Sequence, residues 1–221
     1  MSFTKRIEWA GPMRTLIVTG GEAEGLTGPN ESFDLVIAAD SGFDQASALE
    51  VKVDLVVGDF DSISPQTKFG LTKVSHLTTE VHPRDKEHSD LELALEAALV
   101  RGTTELVVLG GGGGRLDHLL VNAAVLTNPK FRPMRIRWET GRAAVHVVWD
   151  RATVIGRIGD LVSLLAYGGE ATGVSTSGLR WALRSARLSP ATSRGLSNEL
   201  VEDHARVTVA TGTLLVIHTP L

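Results

Sequence analysis

Residues 106–120 read LVVLGGGGGRLDHLL, in which four apolar residues precede five glycines and a segment with apolar residues at helical spacing. A continuous apolar run is typical of a strand that is covered on both faces, as in a parallel sheet. Similar runs occur at residues 15–19, 35–39 and 55–57, and each is followed by Gly or Asp instead of a two-residue hairpin turn. The N-terminal part of the chain therefore alternates strands with helices. This pattern predicts an α/β fold whose mostly parallel sheet is flanked by helices.

Capping and periodicity predict two helices in this part of the chain. Residues 89–92 read SDLE, a capping box, and leucines at positions 91, 95 and 99 then repeat every four residues until the chain reaches Arg101-Gly102. The second helix follows the glycines. We expect five of its residues to face the core: Leu116, Leu119, Leu120, Ala123 and Ala124. Its opposite face then carries three polar residues: Arg115, His118 and Asn122.

After Pro133 the sequence changes to short β-like segments separated by Gly, Ser and Thr. These segments are residues 135–139, 143–149, 161–166, 207–210 and 212–218. The change predicts a smaller antiparallel β domain at the C-terminal end, with the boundary near Asp150. The predicted domains are residues 1–150 and residues 151–221.

The composition narrows the classes of protein that this chain can represent. Its 22 Lys and Arg against 26 Asp and Glu give a formal net charge of −4, which disfavours general nucleic-acid binding. The absence of Cys excludes disulfides, thiolate catalysis and Cys-based zinc sites, and it is typical of a reducing compartment. The longest apolar runs are far shorter than the ~20 residues of a membrane span, and residues 1–14 contain no apolar secretory signal. We therefore expect a soluble cytoplasmic protein with neither a membrane nor a nucleic acid as a partner.

Aspartates follow the predicted strands. Asp40 comes directly after one apolar run, and Asp59 and Asp61 come shortly after the next, while Asp117 follows the glycines. Since the carboxyl ends of parallel strands line one crevice of an open α/β sheet, these side chains are expected to converge there. Asp59 and Asp61 alternate by two and would point to the same side, where Mg²⁺ would relieve their mutual repulsion. The structural alternative is that both residues cap a turn before Ser64-Pro65.

Two features near these acids favour phosphate binding. Gly110–Gly114 separates a predicted strand from a helix, so its backbone N–H groups could meet a phosphate, although a flexible connection is the alternative. The stretch matches neither a Walker A loop nor the dinucleotide fingerprint. Asp90 lies in a first helical turn and follows Asp85 and Lys86, whose ammonium group can hold phosphate as a point charge. A favourable interaction with the helix dipole is the structural alternative for Asp90.

The C-terminal part contains one polar segment with a large aromatic residue. Residues 175–181 read STSGLRW, and Ser197-Asn198 supplies another polar pair. Beside polar residues, Trp181 could stack on a flat or cationic ring. A place in the core is the structural alternative for this residue.

Six segments, taken in order, resemble the motifs of the thiamine pyrophosphokinase family. They are ADSG at 39–42, GDFDS at 58–62, DK at 85–86 with SDLELAL at 89–95, GGRLDH at 113–118, SGLRW at 177–181 and SN at 197–198. Together they span most of the chain. The resemblance implies an N-terminal α/β domain that binds Mg-ATP and a C-terminal β-sandwich that binds thiamine. It also implies a homodimer whose active sites lie between the subunits.

The same resemblance implies roles for individual residues. The motif acids linked with Mg²⁺ and the polyphosphate match Asp59, Asp61 and Asp90, and the acid beside the reacting groups matches Asp117. Five residues fall on the nucleotide side: Asp40, Lys86, Arg115, His118 and Asn122. Five fall on the thiamine side: Thr176, Ser177, Trp181, Ser197 and Asn198. Three residues depart from the family's usual pattern: Ser41, Phe43 and Ser89.

The activity that the resemblance implies is transfer of the β,γ-pyrophosphoryl group of ATP to the hydroxyl of thiamine, with release of AMP. Lys86 and Arg115 would then compensate phosphate charge, and Asp117 would orient or deprotonate the hydroxyl. Two alternatives remain open from the residues. The segment DFD at 59–61 also reads as the D-x-D motif of metal-dependent glycosyltransferases that hold a nucleotide sugar. A non-catalytic module that senses thiamine or a nucleotide could use the same fold.

Overall fold

The N-terminal half of the chain contains the predicted alternation of strands and helices. The computed structural model describes residues 12–22, 32–59, 77–83, 85 and 87–221. The strands of this half are β1 (Arg14–Thr19), β2 (Leu35–Ala39), β3 (Leu55–Gly58), β4 (Thr78–Val81), β5 (Glu105–Leu109) and β6 (Arg135–Thr140). The helices are α1 (Gly42–Ala48), α2 (Asp90–Val100) and α3 (Leu116–Leu126), and a short 3-10 turn follows at Pro129–Phe131.

The C-terminal half is built from strands. They are β7 (Ala143–Val148), β8 (Arg151–Ile155), β9 (Leu161–Ala166), β10 (Ala171–Ser177), β11 (Ala186–Leu188), β12 (Asn198–Glu199), β13 (His204–Thr208) and β14 (Leu214–Thr219). No helix in the described ranges has the length and apolar character needed to cross a bilayer.

Two sheets organise the residues that the structure describes. The first has ten strands in the order β12-β9-β14-β7-β6-β5-β1-β2-β3-β4, and its six N-terminal strands are parallel. The second has four antiparallel strands in the order β11-β10-β13-β8. Since β7 pairs with β6 and β14 pairs with β7, the first sheet continues from one half of the chain into the other. Asp150 lies between β7 and β8, and the domain boundary there stays a prediction.

The buried apolar side chains form separate cores in the parallel and the antiparallel part of the fold. Leu16, Ile17 and Val18 of β1 are all fully buried, as a strand covered on both faces requires. A separate apolar cluster joins β7, β9 and β14 of the first sheet to β8, β10, β11 and β13 of the second, and it forms the core of a sandwich. The predicted fold class, an α/β part followed by a smaller antiparallel sandwich, is therefore confirmed.

Helix α2 begins where its capping box predicts. Ser89 has extended backbone angles, and its hydroxyl oxygen accepts a hydrogen bond from the Glu92 N–H at 3.2 Å. The helix buries Leu91, Ala94, Leu95 and Ala98 against the sheet.

The predicted orientation of helix α3 is right for Leu119 and Ala123, which pack in the core, and wrong for the other three residues. Leu116 and Leu120 are 67% and 55% exposed, whereas Asn122 is buried together with Ala123 and Leu126. The physical reason is that the Asn122 amide donates a 3.0 Å hydrogen bond to the Gly111 carbonyl, so a polar side chain is satisfied on the inner face. Periodicity identified the stripes of this helix without indicating which stripe meets the sheet.

Several elements lie outside the sequence-based prediction. Strands β4, β8, β10, β11 and β12 and the short helix α1 were not predicted, and β13 is at His204–Thr208 instead of 207–210. In β8 only Val154 is fully buried, so this strand lacks the apolar run or clean alternation that marks a strand in sequence. Its position comes from pairing with β13 along five residues.

His146 on β7 is predicted to make the stability of the fold depend on pH. Burial lowers the pKa of His146 to about 4, and the charges of Arg137 and His218 add to this effect. An unfolded histidine has a pKa of about 6.5, so this contribution to folding is present above pH ~6.5 and is lost as the pH falls towards 4. We expect the free energy of unfolding to fall by up to about 2 kcal/mol between pH 7 and pH 5.

Urea unfolding of the parent and of His146→Gln at the two pH values checks this expectation. The variant should lose this part of the pH dependence, because a glutamine at position 146 cannot take up a proton. His204→Gln, at a partly exposed histidine paired with Asp203, is the matched control and should keep it. An unchanged slope in His146→Gln would contradict the assignment.

Candidate active site

The carboxyl ends of the parallel strands lie together along one edge of the sheet. Strand β1 lies between β2 and β5, so the chain leaves β1 towards one side of the sheet and later returns to its other side. Such a switch in strand order opens a crevice outside the carboxyl ends of the strands, where α/β proteins bind ligands. Gly20 and Gly21 after β1 and Gly110–Gly114 after β5 lie at this point, and the Gly111 N–H donates to the Gly20 carbonyl at 2.8 Å.

Asp40 is the first acid at this edge. It follows β2, is only 8% exposed, and has φ of 44°, a left-handed conformation that Asp tolerates better than most residues. Its N–H donates to the Val57 carbonyl at 2.9 Å, and its own carbonyl accepts from the Phe43 N–H at 3.1 Å. These bonds hold Asp40 between the end of β3 and the start of α1.

Gly58 is the point where the acids meet. A Cβ added at Gly58 would lie 3.2 Å from the Asp40 Cβ and 3.2 Å from Asp90 Oδ1. Asp59, which is partly buried, is the next residue along the chain. The structure therefore brings the side chains of Asp40 and Asp90 to the end of β3, although they come from different elements, and Asp59 follows directly in the chain. Asp61, the fourth predicted acid of this group, lies outside the described residues.

The glycine loop after β5 is held by hydrogen bonds to its neighbours. The Trp138 indole N–H donates to the Gly110 carbonyl at 2.7 Å, and the Asn122 amide donates to the Gly111 carbonyl. At Gly110 φ is 95°, and an added Cβ would lie 2.4 Å from the Thr19 carbonyl oxygen, so this position requires glycine. The alternative of a flexible connection is not favoured by this network.

Asp117 and Arg115 form an exposed ion pair at the start of α3. The Arg115 guanidinium donates to both carboxylate oxygens of Asp117, at 3.1 and 2.5 Å. Hydrogen bonding to Arg115 lowers the pKa of Asp117 to about 2. A carboxylate with such a pKa is a weak base near neutral pH, so the arrangement favours orientation over deprotonation of a hydroxyl.

The other residues predicted on the nucleotide side differ in their surroundings. His118 is exposed on α3 beside Asp117, and Asn122 is buried beneath the glycine loop, where it positions the backbone. Lys86 lies outside the described residues. The helix pattern put Asn122 on the polar stripe and the resemblance put it on the nucleotide side, but neither indicated its contact with the Gly111 carbonyl.

The acidic residues fit a magnesium ion in their chemistry. Mg²⁺ takes oxygen ligands, usually one or two carboxylates together with waters and substrate phosphates. The space above Gly58, which a side chain would fill, is lined by the carboxylate of Asp90 and the Cβ of Asp40. Within the described residues, no three His, Asp or Glu side chains are grouped closely enough to hold a metal ion by themselves. An ion at this edge would therefore depend on substrate phosphate oxygens as well.

On the thiamine side, Asn198 holds the segment that carries Trp181. The buried Asn198 amide accepts from the Trp181 N–H at 3.0 Å and from the Glu199 N–H at 2.9 Å, and it donates to the Trp181 carbonyl at 2.8 Å. The indole ring is 56% exposed, with the Arg180 guanidinium 5.8 Å from its centroid. The position of Trp181 therefore favours stacking over the alternative of a core residue.

The other predicted thiamine-side residues surround this segment less closely. Thr176 at the end of β10 accepts a hydrogen bond from the Leu183 N–H at 2.8 Å, which ties down the loop after Trp181. Ser177 is exposed. Ser197 is also exposed, has φ of 55°, and donates its N–H to the Ser163 hydroxyl at 3.0 Å.

Two family models match this chain. The model described as thiamin pyrophosphokinase, catalytic domain, matches residues 29–138, and the model described as thiamin pyrophosphokinase, vitamin B1 binding domain, matches residues 152–216. The chain belongs to the thiamin pyrophosphokinase family. The predicted resemblance is thereby confirmed.

Similar proteins of known name support the same assignment. A thiamine pyrophosphokinase from Bacillus subtilis is 26% identical over 213 residues, which cover 93% of this chain and 98% of that protein. The crystal structure of a thiamine pyrophosphokinase from Bacillus subtilis superposes with a TM-score of 0.82 at 23% identity, covering 94% of this chain and 99% of the other. The structure from Geobacillus thermodenitrificans gives 0.76 at 24% identity, covering 94% and 97%. These two likenesses show that the fold is shared.

The three departures from the usual family pattern are accommodated in the structure. Ser89 caps α2, as described above. The Ser41 hydroxyl lies 2.2 Å from where a Cβ of Gly20 would stand, so a small residue at position 20 makes room for it. Phe43 is partly buried against the apolar cluster of β1, β2 and β3. Its bulk is therefore taken up by the core of this thiamin pyrophosphokinase family member.

Proposed function

We propose that this chain transfers the β,γ-pyrophosphoryl group of ATP to the hydroxyl of thiamine, giving thiamine diphosphate and AMP. The observation that carries this proposal is the meeting of Asp40 and Asp90 around Gly58 at the switch point of the sheet. Family membership supplies the substrates, because both the catalytic and the vitamin B1 binding models match.

In the proposed mechanism the acids at Gly58 position the polyphosphate. Asp59, Asp61 and Asp90 would hold Mg²⁺, and Asp40 would orient the nucleotide beside them. When bound, the ion supplies positive charge that offsets the charge of the polyphosphate. An alcohol attacks phosphorus only when it is held in line, so most of the work of this site is alignment and charge compensation.

The glycine loop and the start of α3 would bind phosphate oxygens. The N–H groups of Gly110 and Gly111 are already used by the carbonyls of Glu139 and Gly20. The N–H groups of the later glycines of the loop would therefore bind the phosphate oxygens, together with the cationic side chains of Arg115 and Lys86. His118 would contact the nucleotide from α3.

Asp117 would orient the hydroxyl of thiamine. With its pKa at about 2, the carboxylate is ionised near neutral pH and can accept a hydrogen bond from the hydroxyl. Such a bond aims the oxygen lone pairs at the β-phosphorus. The hydroxyl proton would be lost to solvent as the new P–O bond forms and the bond from the β-phosphorus to AMP breaks. We therefore assign Asp117 orientation, and not the role of general base.

Thiamine itself would stack on Trp181. Its cationic, flat rings suit the exposed indole face, and Thr176, Ser177 and Ser197 add hydroxyl groups nearby. As the resemblance to the family implies, we propose a homodimer with each active site between subunits. The exposed Leu116, Leu120 and Val121 of α3 are an apolar surface that such pairing would cover. We place the reaction in the cytoplasm.

Asn198→Ala is predicted to weaken thiamine binding more than it slows the reaction. The substitution removes two hydrogen bonds that fix the backbone of Trp181 and a third from the Glu199 N–H, and we expect the KM for thiamine to rise about tenfold, equivalent to ~1.4 kcal/mol. Asn128→Ala is the matched control, because the Asn128 side chain caps the 3-10 turn instead. An unchanged KM in folded Asn198→Ala would contradict the role of Trp181.

The test of the function itself is to incubate the chain with thiamine, ATP and Mg²⁺ and to measure both products. AMP and thiamine diphosphate should appear in equal amounts, and chelation of the metal should stop both. Release of a nucleoside diphosphate from a nucleotide sugar would instead indicate a glycosyltransferase. Binding of thiamine without any turnover would indicate a sensing module, and the comparisons favour neither alternative.

A further inference from the structure

A cavity of about 780 Å³ opens between the two sheets, away from the acids. It is lined by residues at the start of β6, the end of β7, the start of β8 and the end of β13. The other end of β6 reaches the glycine loop, since the Thr140 hydroxyl lies where a Cβ of Gly112 would stand. A six-residue strand spans about 17 Å, so the cavity and the candidate active site lie at opposite ends of β6.

The charge of the cavity is strongly positive. Four arginines line it, against a single acid, Asp150. Arg151 lies 3.8 Å from the carboxylate of Asp150, and both side chains are largely exposed. Arg135 stands opposite Glu105 in the pairing of β6 with β5. In the part of the chain that the structure describes, the other three make no ion pair: Arg132, Arg135 and Arg206. A concave surface with such an excess of positive charge concentrates anions.

Trp149 forms part of the wall of the cavity. The side chain lines the cavity and is 8% exposed, and its indole N–H is buried without a hydrogen-bond partner among the described residues. The indole nitrogen is therefore not reached from the cavity, and Trp149 contributes only apolar surface to its wall. The indole ring and the neighbouring apolar side chains also offer a surface for an organic group.

We infer that this cavity is a second ligand site, which binds an organic phosphate through its arginines and packs the organic part against Trp149. The size of the cavity falls within the range of small-molecule pockets, which is about 300 to 1,000 Å³. Guanidinium groups suit phosphate because they donate paired hydrogen bonds to its oxygens. Such a ligand could be a product of the chain's own proposed reaction or an unrelated phosphorylated metabolite.

The experiment follows the indole N–H signal of Trp149 by ¹⁵N NMR, with the signal assigned from Trp149→Phe. Inorganic pyrophosphate, AMP and thiamine diphosphate are titrated separately into the full chain, and the affinity of each is read from the movement of this signal. We expect saturable movement with at least one organic phosphate, and an affinity about tenfold lower in Arg135→Gln and in Arg206→Gln. Arg187→Gln, at an exposed arginine that pairs with Glu170 outside the cavity, should bind like the parent.

Each arm of the experiment has a defined outcome. Tighter binding of AMP or thiamine diphosphate than of pyrophosphate identifies a reaction product as the ligand. The Trp149 signal should also move in Asp90→Asn if the site is separate from the acids. Binding of pyrophosphate alone would overturn the assignment to an organic ligand. A Trp149 signal that does not move, or that moves equally in the parent and in both arginine variants, would overturn the site. The readout does not involve turnover, so its failure is distinguishable from failure of the proposed function.

Discussion

Asp90→Asn is expected to lower the rate of pyrophosphoryl transfer by about 100-fold or more, while the urea unfolding midpoint stays close to that of the parent. Asp90 Oδ1 lies over Gly58 beside Asp40, where a carboxylate would hold the ion that carries the polyphosphate. An amide keeps the shape of the side chain and loses its charge. Since Ser89 caps α2 through its own hydroxyl, the helix itself should remain intact.

The Asp90→Asn experiment needs a variant of a second acidic residue and a control variant. Asp59→Asn removes the neighbouring carboxylate and should cause a loss of similar size, because both acids are proposed to bind the same ion. Asp203→Asn changes an exposed aspartate between β12 and β13 that pairs with His204, and it should leave the rate unchanged. If Asp59→Asn and Asp90→Asn both turned over at the parent rate, the acids would have no part in the chemistry.

Gly42→Ala is expected to lower the free energy of unfolding by about 3 kcal/mol. Gly42 is the buried first residue of α1, and a Cβ there would lie 2.0 Å from the Val18 carbonyl oxygen and 2.8 Å from the Thr19 Cα. Both contacts are backbone atoms of β1, which cannot move aside as the end of a side chain can. The helix would have to separate from the sheet directly beside Asp40.

Urea unfolding of Gly42→Ala and Gly169→Ala measures this effect. Gly169 has nothing within 4 Å of an added Cβ, so the same change there should alter stability by less than about 0.5 kcal/mol. Equal stabilities of the two variants would mean that the approach of α1 to β1 is looser than the structure indicates. The proposed activity should also fall in Gly42→Ala, because Asp40 is held by the Phe43 N–H of the same helix.

The elements that sequence reasoning located well are those with a strong local signal. Strands β2 and β9 have the predicted bounds, 35–39 and 161–166, because both are short apolar runs, interrupted in β9 only by Ser163. Helix α2 begins at its capping box, which is a contact between residues three positions apart. In each case the information lies within a few neighbouring residues.

Elements without a local signal were missed or misplaced. Strand β8 is mostly exposed and has its place through pairing with β13, about fifty residues further along the chain. The inward face of α3 was predicted only in part, because Asn122 meets the Gly111 carbonyl of a loop that precedes the helix. Both depend on contacts that appear only when the chain has folded.

The candidate site also contains features that the sequence predicted and features that it did not. The aspartates and the glycine loop could be selected from the sequence, since residue types that suit cations and phosphates follow predicted strands. The hydrogen bonds from the Asn198 side chain to the backbone of Trp181 had no sequence signal, and neither had the pairing of Asp117 with Arg115.

By itself, the order of residues determined the alternation of strands and helices, the change to β structure after Pro133, and the kind of groups available for chemistry. Periodicity and capping are local properties, so they can be read along the chain. Only the tertiary structure decided that Asp40 and Asp90 meet over Gly58 and that the arginines of β6, β8 and β13 face one cavity. These side chains are far apart in sequence, and the strand order of the two sheets is what brings them together.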